Sequence, residues 1–124
     1  MFSLKVIMER LRSLVFAWKG LCYLVSKENS FKYQLFFSLL IIGIGFYFQI
    51  KASEWIAQLI MMALVLSVEG LNSSIELLAD YIQPQYDSKI GKLKDVAAGA
   101  VLVTGIFALV VLLIIYIPYI LALF

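Results

Sequence analysis

The hydrophobic pattern divides the chain into one amphipathic segment and three long apolar ones. In MFSLKVIMERLRSLVFAWKGLCYLV, Lys5, Glu9, Arg12 and Lys19 fall on one side of a helix turning about 100° per residue. Leu4, Ile7, Leu11, Leu14, Val15 and Trp18 fall largely elsewhere. This periodicity predicts an amphipathic helix over about 1–26, packed on protein or lying on a bilayer, and the oily remainder of the chain favours the bilayer. A polar turn, SKENSF, follows with Glu28 at its centre.

YQLFFSLLIIGIGFYFQI then runs from Tyr33 to Ile50 without a charge. At ~1.5 Å per residue it is about long enough to cross a hydrocarbon core of ~30 Å. The short break KASEW leads into a second span over about 55–81, and QPQYDSKIGKLK reads as a polar loop with Pro84 and Gly91 as breakers. A third span over about 95–122 ends near Pro118, where a kink or an exit costs little.

Composition turns these spans into a class. Of 124 residues, 64% are hydrophobic, against roughly 45–50% in a soluble domain, and 15% are charged. So much apolar surface cannot be hidden by a chain this short. We therefore expect a single all-α membrane domain over 1–124: a surface helix and three transmembrane helices with little interior of their own, a setting that favours association of several copies. The net charge of +2 argues against nucleic acid. The absence of histidine excludes Ser/His/Asp catalysis and a His metal site. Cys22, being alone, excludes an intrachain disulfide and a Cys-rich zinc site, and reads as a small buried apolar residue. Charges scattered from Lys5 to Lys19 give the first segment no uninterrupted apolar core, so no cleavable signal is expected. No glycine-rich loop ends in Gly-Lys-Ser/Thr, and GIGF at 43–46 reads as packing within a span.

Lysine and arginine placement sets an expected orientation. Lys5, Arg10, Arg12, Lys19, Lys27 and Lys32 precede the first span, and Lys89, Lys92 and Lys94 separate the second from the third, whereas Lys51 alone lies in the other break. The amino terminus and the loop at 83–95 are therefore expected on the cytoplasmic side.

The exception to this oily pattern is VEGLNSSIELLADY, inside the second span. On a helix, Asn72, Ser73, Glu76 and Asp80 project within about 60° of the Glu69 direction, making a single polar strip. A carboxylate at mid-bilayer costs roughly 2.5–3.5 kcal/mol on insertion scales. A structural seam between helices would account for Asn72 and Ser73 but poorly for two glutamates two turns apart on one face, since nothing basic lies between Lys51 and Lys89. Hard divalent cations take oxygen ligands, and Mg²⁺ is commonly held by one or two carboxylates plus phosphate oxygens, a role that suits Glu76. Glu69 lies about 10 Å deeper, where it could reach a lipid headgroup as a general base. An ion path for a small oligomeric channel or a proton-coupled transporter would also use Glu69 and Glu76. Lys94 could hold phosphates; the plainer reading of Lys94 and Asp95 is a cytoplasmic positive charge and a helix-capping aspartate.

These residues resemble the prokaryotic diacylglycerol kinase and undecaprenol kinase family. EGLNSSIELLAD, Glu69–Asp80, matches its signature, KDVAAGAVLV, Lys94–Val103, its second block, and AWKGL and ENSFKYQ its amino-terminal elements. The likeness runs from about Phe16 to Val103. It implies a homotrimeric lipid kinase of the bacterial inner membrane that transfers the γ-phosphate of Mg²⁺-bound ATP to diacylglycerol or undecaprenol at the cytoplasmic interface. The matching positions imply Glu69 as base, Glu28 and Glu76 as metal ligands, and Asn72, Lys94 and Asp95 as nucleotide contacts, with Tyr86 and Asp87 close by. The active site would be shared between subunits. Phe16 stands where relatives often carry tyrosine, and Lys32 and Gln34 differ from the arginine and acidic residues of the diacylglycerol kinases.

Overall fold

The computed structural model describes residues 3–124; Met1 and Phe2, included in the expected first helix, lie outside the described residues. Four helices follow in order: α1 (Leu4–Lys27), α2 (Asn29–Phe48), α3 (Ala52–Ile82) and α4 (Ser88–Leu121). The last three are long and apolar enough to cross a membrane.

Local chemistry fixes the ends. The Ser3 hydroxyl accepts from the Val6 amide and caps α1. The expected turn around Glu28 contracts to that one residue, which ends α1 and precedes α2 in extended conformation. Gln49 closes α2 in the left-handed region, φ 52°. At the start of α3, Glu54 Oε1 accepts from the Lys51 amide at 2.9 Å. The largest correction is at α4, which begins at Ser88 and not near 95. The capping aspartate is Asp87, whose Oδ1 accepts from the amides of Lys89 and Ile90. Asp95 lies inside the helix and caps nothing, and Gly91 is helical, since one glycine costs only about 1 kcal/mol against a helix of 34 residues. Only 83–87 remain as loop.

Helix length has a consequence for depth. At ~1.5 Å per residue α2 spans about 30 Å, the thickness of a hydrocarbon core, while α3 and α4 are about 45–50 Å long. The side chains of Gln34 and Glu69 are hydrogen bonded, so they share a level. From there α3 continues to Ile82, about 20 Å, whereas α2 reaches back only to Asn29, about 7 Å. The α3–α4 pair therefore rises past the start of α2 and carries Asn72, Glu76 and Asp80 progressively out of the apolar layer.

At the opposite end, Ile50, Ile115 and Tyr116 form a buried cluster against Ile41, Phe48 and Trp55. Tyr116 and Tyr119 donate to Gln58 and Glu54, tying α4 to α3. Gly45 has no room for a side chain: a Cβ there would sit 2.8 Å from the Trp55 ring and 3.1 Å from the Tyr116 hydroxyl. We expect Gly45→Ala to destabilise the fold by about 1–3 kcal/mol, read as a lower unfolding midpoint in denaturing detergent, because overpacking displaces rings and not flexible tips. Gly43→Ala, with nothing within 4 Å, should leave the midpoint nearly unchanged.

Beyond this cluster most apolar side chains of the spans are exposed on the single chain, as lipid contact or further copies require. No residue of α1 is buried, and its Leu4, Ile7, Leu11, Leu14 and Trp18 are open, the face a helix on a bilayer surface presents. Cys22 lies exposed on α1, which corrects the expectation of burial.

Candidate functional site

The strip on α3 is where this chain buries polarity. Glu69 is 5% exposed, Asn72 and Ser73 are buried with it, Glu76 is half-buried, and Asp80 is exposed. The gradient follows the rise of α3 out of the apolar layer. Burial of Glu69 comes from two neighbours. Gln34 of α2 donates from Nε2 to Glu69 Oε2 at 3.3 Å, and Leu24 of α1 packs over Gly70, where a Cβ would stand 3.1 Å from its Cδ1.

One turn on, Asn72 Nδ2 donates to Glu76 Oε1 at 3.4 Å. Asn72 Oδ1 is buried and has no partner among the described residues. Glu28, at the junction of α1 and α2, lies about 9 Å along α2 from Gln34, and Glu76 about 10 Å along α3 from Glu69, so these two carboxylates stand at similar heights. Among the described residues the one ion pair joins Lys94 to Asp80, further along α3, so Glu28, Glu69 and Glu76 have no salt-bridge partner there. Glu69, Asn72 and Glu76 thus form an acidic cluster on α3 at the edge of the apolar layer, with Glu28 at the height of Glu76.

A second group forms where α3 meets α4. Tyr86, Asp87 and Lys94 line a cavity of about 250 Å³ with Gln83, Pro84, Gln85, Ile90 and Gly91. Tyr86 is almost fully exposed and its ring lies over Gly91, 3.4 Å from where a Cβ would be. Asp87 Oδ1 is engaged as the cap of α4. Asp95 belongs to neither group; it is exposed and makes no side-chain hydrogen bond or ion pair among the described residues.

Among the described residues no three acidic or thiol side chains converge closely enough to enclose a metal ion by themselves. A Mg²⁺ site does not require them to, since one or two carboxylates plus phosphate oxygens suffice. The chemistry of the donors suits such an ion: Glu28 and Glu76 are carboxylates with no salt-bridge partner among the described residues, and the unpaired oxygen of Asn72 lies beside Glu76.

Two residues of this region were not readable as such. Gln34 stood out in the sequence only as a departure from related chains, yet it holds Glu69. Asp80 belonged to the strip by spacing, but its pairing with Lys94 needed the antiparallel register of α3 and α4.

Comparison with known proteins adds the following. The sequence profile of prokaryotic diacylglycerol kinase matches residues 15–116. An undecaprenol kinase of Bacillus subtilis (strain 168) is 27% identical over 107 residues, which cover 86% of this chain and 87% of that protein. A diacylglycerol kinase of Escherichia coli (strain K12) is 32% identical over 95 residues, 77% of this chain and 78% of that one. A diacylglycerol kinase of Synechocystis sp. is 29% identical over 100 residues, 80% of this chain and 57% of the longer relative.

Proposed function

Since the chain belongs to the prokaryotic diacylglycerol kinase family, we propose that it phosphorylates the hydroxyl of a membrane lipid, diacylglycerol or undecaprenol, with Mg²⁺-bound ATP. It is a multi-pass membrane protein of the lipid-kinase class, a phosphotransferase acting on an alcohol group, and kinase chemistry implies ATP and a metal. The observation that carries the reading is the acidic cluster: a buried Glu69, held by Gln34, on one face of α3 with Glu76 and an unpaired Asn72 oxygen, without a salt-bridge partner among the described residues. Groups of this kind at a membrane edge face a ligand. A channel or transporter built on Glu69 and Glu76 has no support from the matching relatives.

Each residue has a task under this proposal. Glu69 accepts the proton of the lipid hydroxyl as that oxygen bonds the γ-phosphorus; the bond from phosphorus to the β–γ bridging oxygen breaks, and ADP leaves. Gln34 fixes the carboxylate by donating to its second oxygen. Glu28 and Glu76 would hold the metal, which when bound neutralises phosphate charge. Asn72 steadies Glu76 through Nδ2. Lys94 exchanges Asp80 for the phosphates, and Tyr86, Asp87 and Asp95 meet the rest of the nucleotide. Little covalent work is asked of the protein, since phosphoryl transfer depends mainly on positioning and charge neutralisation. The site faces the cytoplasm at the inner membrane with the amino terminus on that side, and three copies complete it, the exposed flanks of the spans being covered by neighbours.

The test is direct. The purified chain is reconstituted with Mg²⁺ and ATP labelled at the γ-phosphate, and diacylglycerol and undecaprenol are offered in separate vesicles. Label is expected in at least one lipid; label in neither, with the protein folded, rejects the proposal.

A further inference from the structure

A cavity of about 140 Å³ lies between α2, α3 and α4, deeper in the membrane than the acidic cluster. Its wall is largely hydrocarbon, with Met61, Met62 and Val65 among its residues, yet it also includes Gln34, Ser38 and Gln58. Gln58 is 1% exposed. Its Oε1 accepts from the Tyr116 hydroxyl, and its Nε2 is buried with no partner among the described residues. Gln34 is complementary: Nε2 donates to Glu69, and Oε1 is buried without a partner. The two residues that carry this unpaired donor and this unpaired acceptor therefore line the same cavity. The Tyr116 hydroxyl that meets Gln58 also reaches the Ile41 carbonyl at 3.4 Å, and Ile41 lies about 10 Å along α2 from Gln34, so the two amides stand at opposite ends.

Unpaired amide atoms at this depth are costly, because the bilayer offers them nothing. A hydrocarbon tail filling the cavity would leave both unpaired. Water satisfies both, since it donates and accepts, and the volume holds several molecules, the number needed to bridge the gap. The Ser38 hydroxyl, which donates to the backbone carbonyl of Gln34 at 2.8 Å, keeps lone pairs for a further contact. We propose that this cavity is a hydrated site inside the membrane, a short water cluster that accepts from Gln58 and donates to Gln34. With Gln34 Oε1 occupied by water, its amide is locked in the orientation that presents Nε2 to Glu69.

The proposal is tested by nuclear magnetic resonance on the perdeuterated, ¹⁵N-labelled full chain in bicelles with protonated acyl chains. Cross-peaks from water to the side-chain amides of both Gln58 and Gln34 are expected. In Gln58→Leu the Gln34 amide should lose its water cross-peak while the fold persists. Cross-peaks from the Gln58 amide to acyl methylenes, or to neither water nor lipid, overturn the proposal, as does a Gln34 water signal unchanged in Gln58→Leu. If that variant does not fold, the wild-type spectrum decides. The reading stands or falls whether or not label enters a lipid in the kinase assay.

Discussion

Glu69→Gln is expected to lower lipid phosphorylation by roughly 10²–10⁴-fold, the range over which a positioned general base contributes. The substitution isolates that role. Glutamine keeps the size of the side chain and an oxygen able to accept from Gln34 Nε2, so the link between α2 and α3 survives. What it removes is the lone pair that can carry away a full proton. The nucleotide is held elsewhere under the proposed assignment, by Asn72, Glu76, Lys94 and the loop at 83–87, so the KM for ATP should change by less than about threefold. The neutral amide also removes the cost of keeping a carboxylate buried at this position, so the variant should unfold in detergent no earlier than the wild type. Wild-type turnover in a folded Glu69→Gln protein would remove Glu69 from the chemistry.

The outline of this fold was legible because bilayer physics writes large signals. Uncharged runs of about twenty residues, and a polar stretch inside one of them, specify three spans and a buried strip with little help from context. Boundaries were less legible because they depend on one or two hydrogen bonds. KDVAAG offers an aspartate at the edge of an apolar run, but Asp87, eight residues earlier, supplies the oxygen to which two amides donate as a cap, and α4 gains two turns by it. The Lys-rich stretch from 88 to 94 reads as loop in the sequence because it is polar and holds Gly91; its charges are instead carried on the first two turns of α4.

Within the site, spacing along α3 could place Glu69, Asn72, Glu76 and Asp80 on one face, because all belong to one element. It could not say which residue of another element meets each of them. Gln34 against Glu69, Lys94 against Asp80 and Tyr116 against Gln58 are separated by 35, 14 and 58 residues and depend on helix register. The outer pairs, Tyr116 with Gln58 and Tyr119 with Glu54, gave no sequence signal either, since a tyrosine near the end of a span reads equally well as an interfacial anchor.

Glu76→Gln should fail differently, and the contrast with Glu69 separates base from metal ligand. Glu76 Oε1 accepts from Asn72 Nδ2, a bond a glutamine oxygen can still accept, so the local geometry of α3 is preserved and only charge is lost. Charge is what a hard cation needs from this position: with no third acidic ligand converging on the site, Glu28 would be left as the one carboxylate proposed for the metal. The KM for ATP is expected to rise by roughly 10–100-fold, the scale on which disturbed metal ligation shows. The Mg²⁺ concentration giving half-maximal rate at fixed ATP should rise with it. Excess Mg²⁺ should then recover much of the turnover in Glu76→Gln, since the proton acceptor is intact, and none in Glu69→Gln. A Glu76→Gln protein whose rate depends on Mg²⁺ as the wild type does would place the metal elsewhere. One that stays inactive at saturating Mg²⁺ and ATP would give Glu76 a part in the transfer itself. The two substitutions lie two helical turns apart on one face of α3, yet their losses should move independent kinetic parameters, because one carboxylate meets the lipid oxygen and the other the phosphate end of the nucleotide.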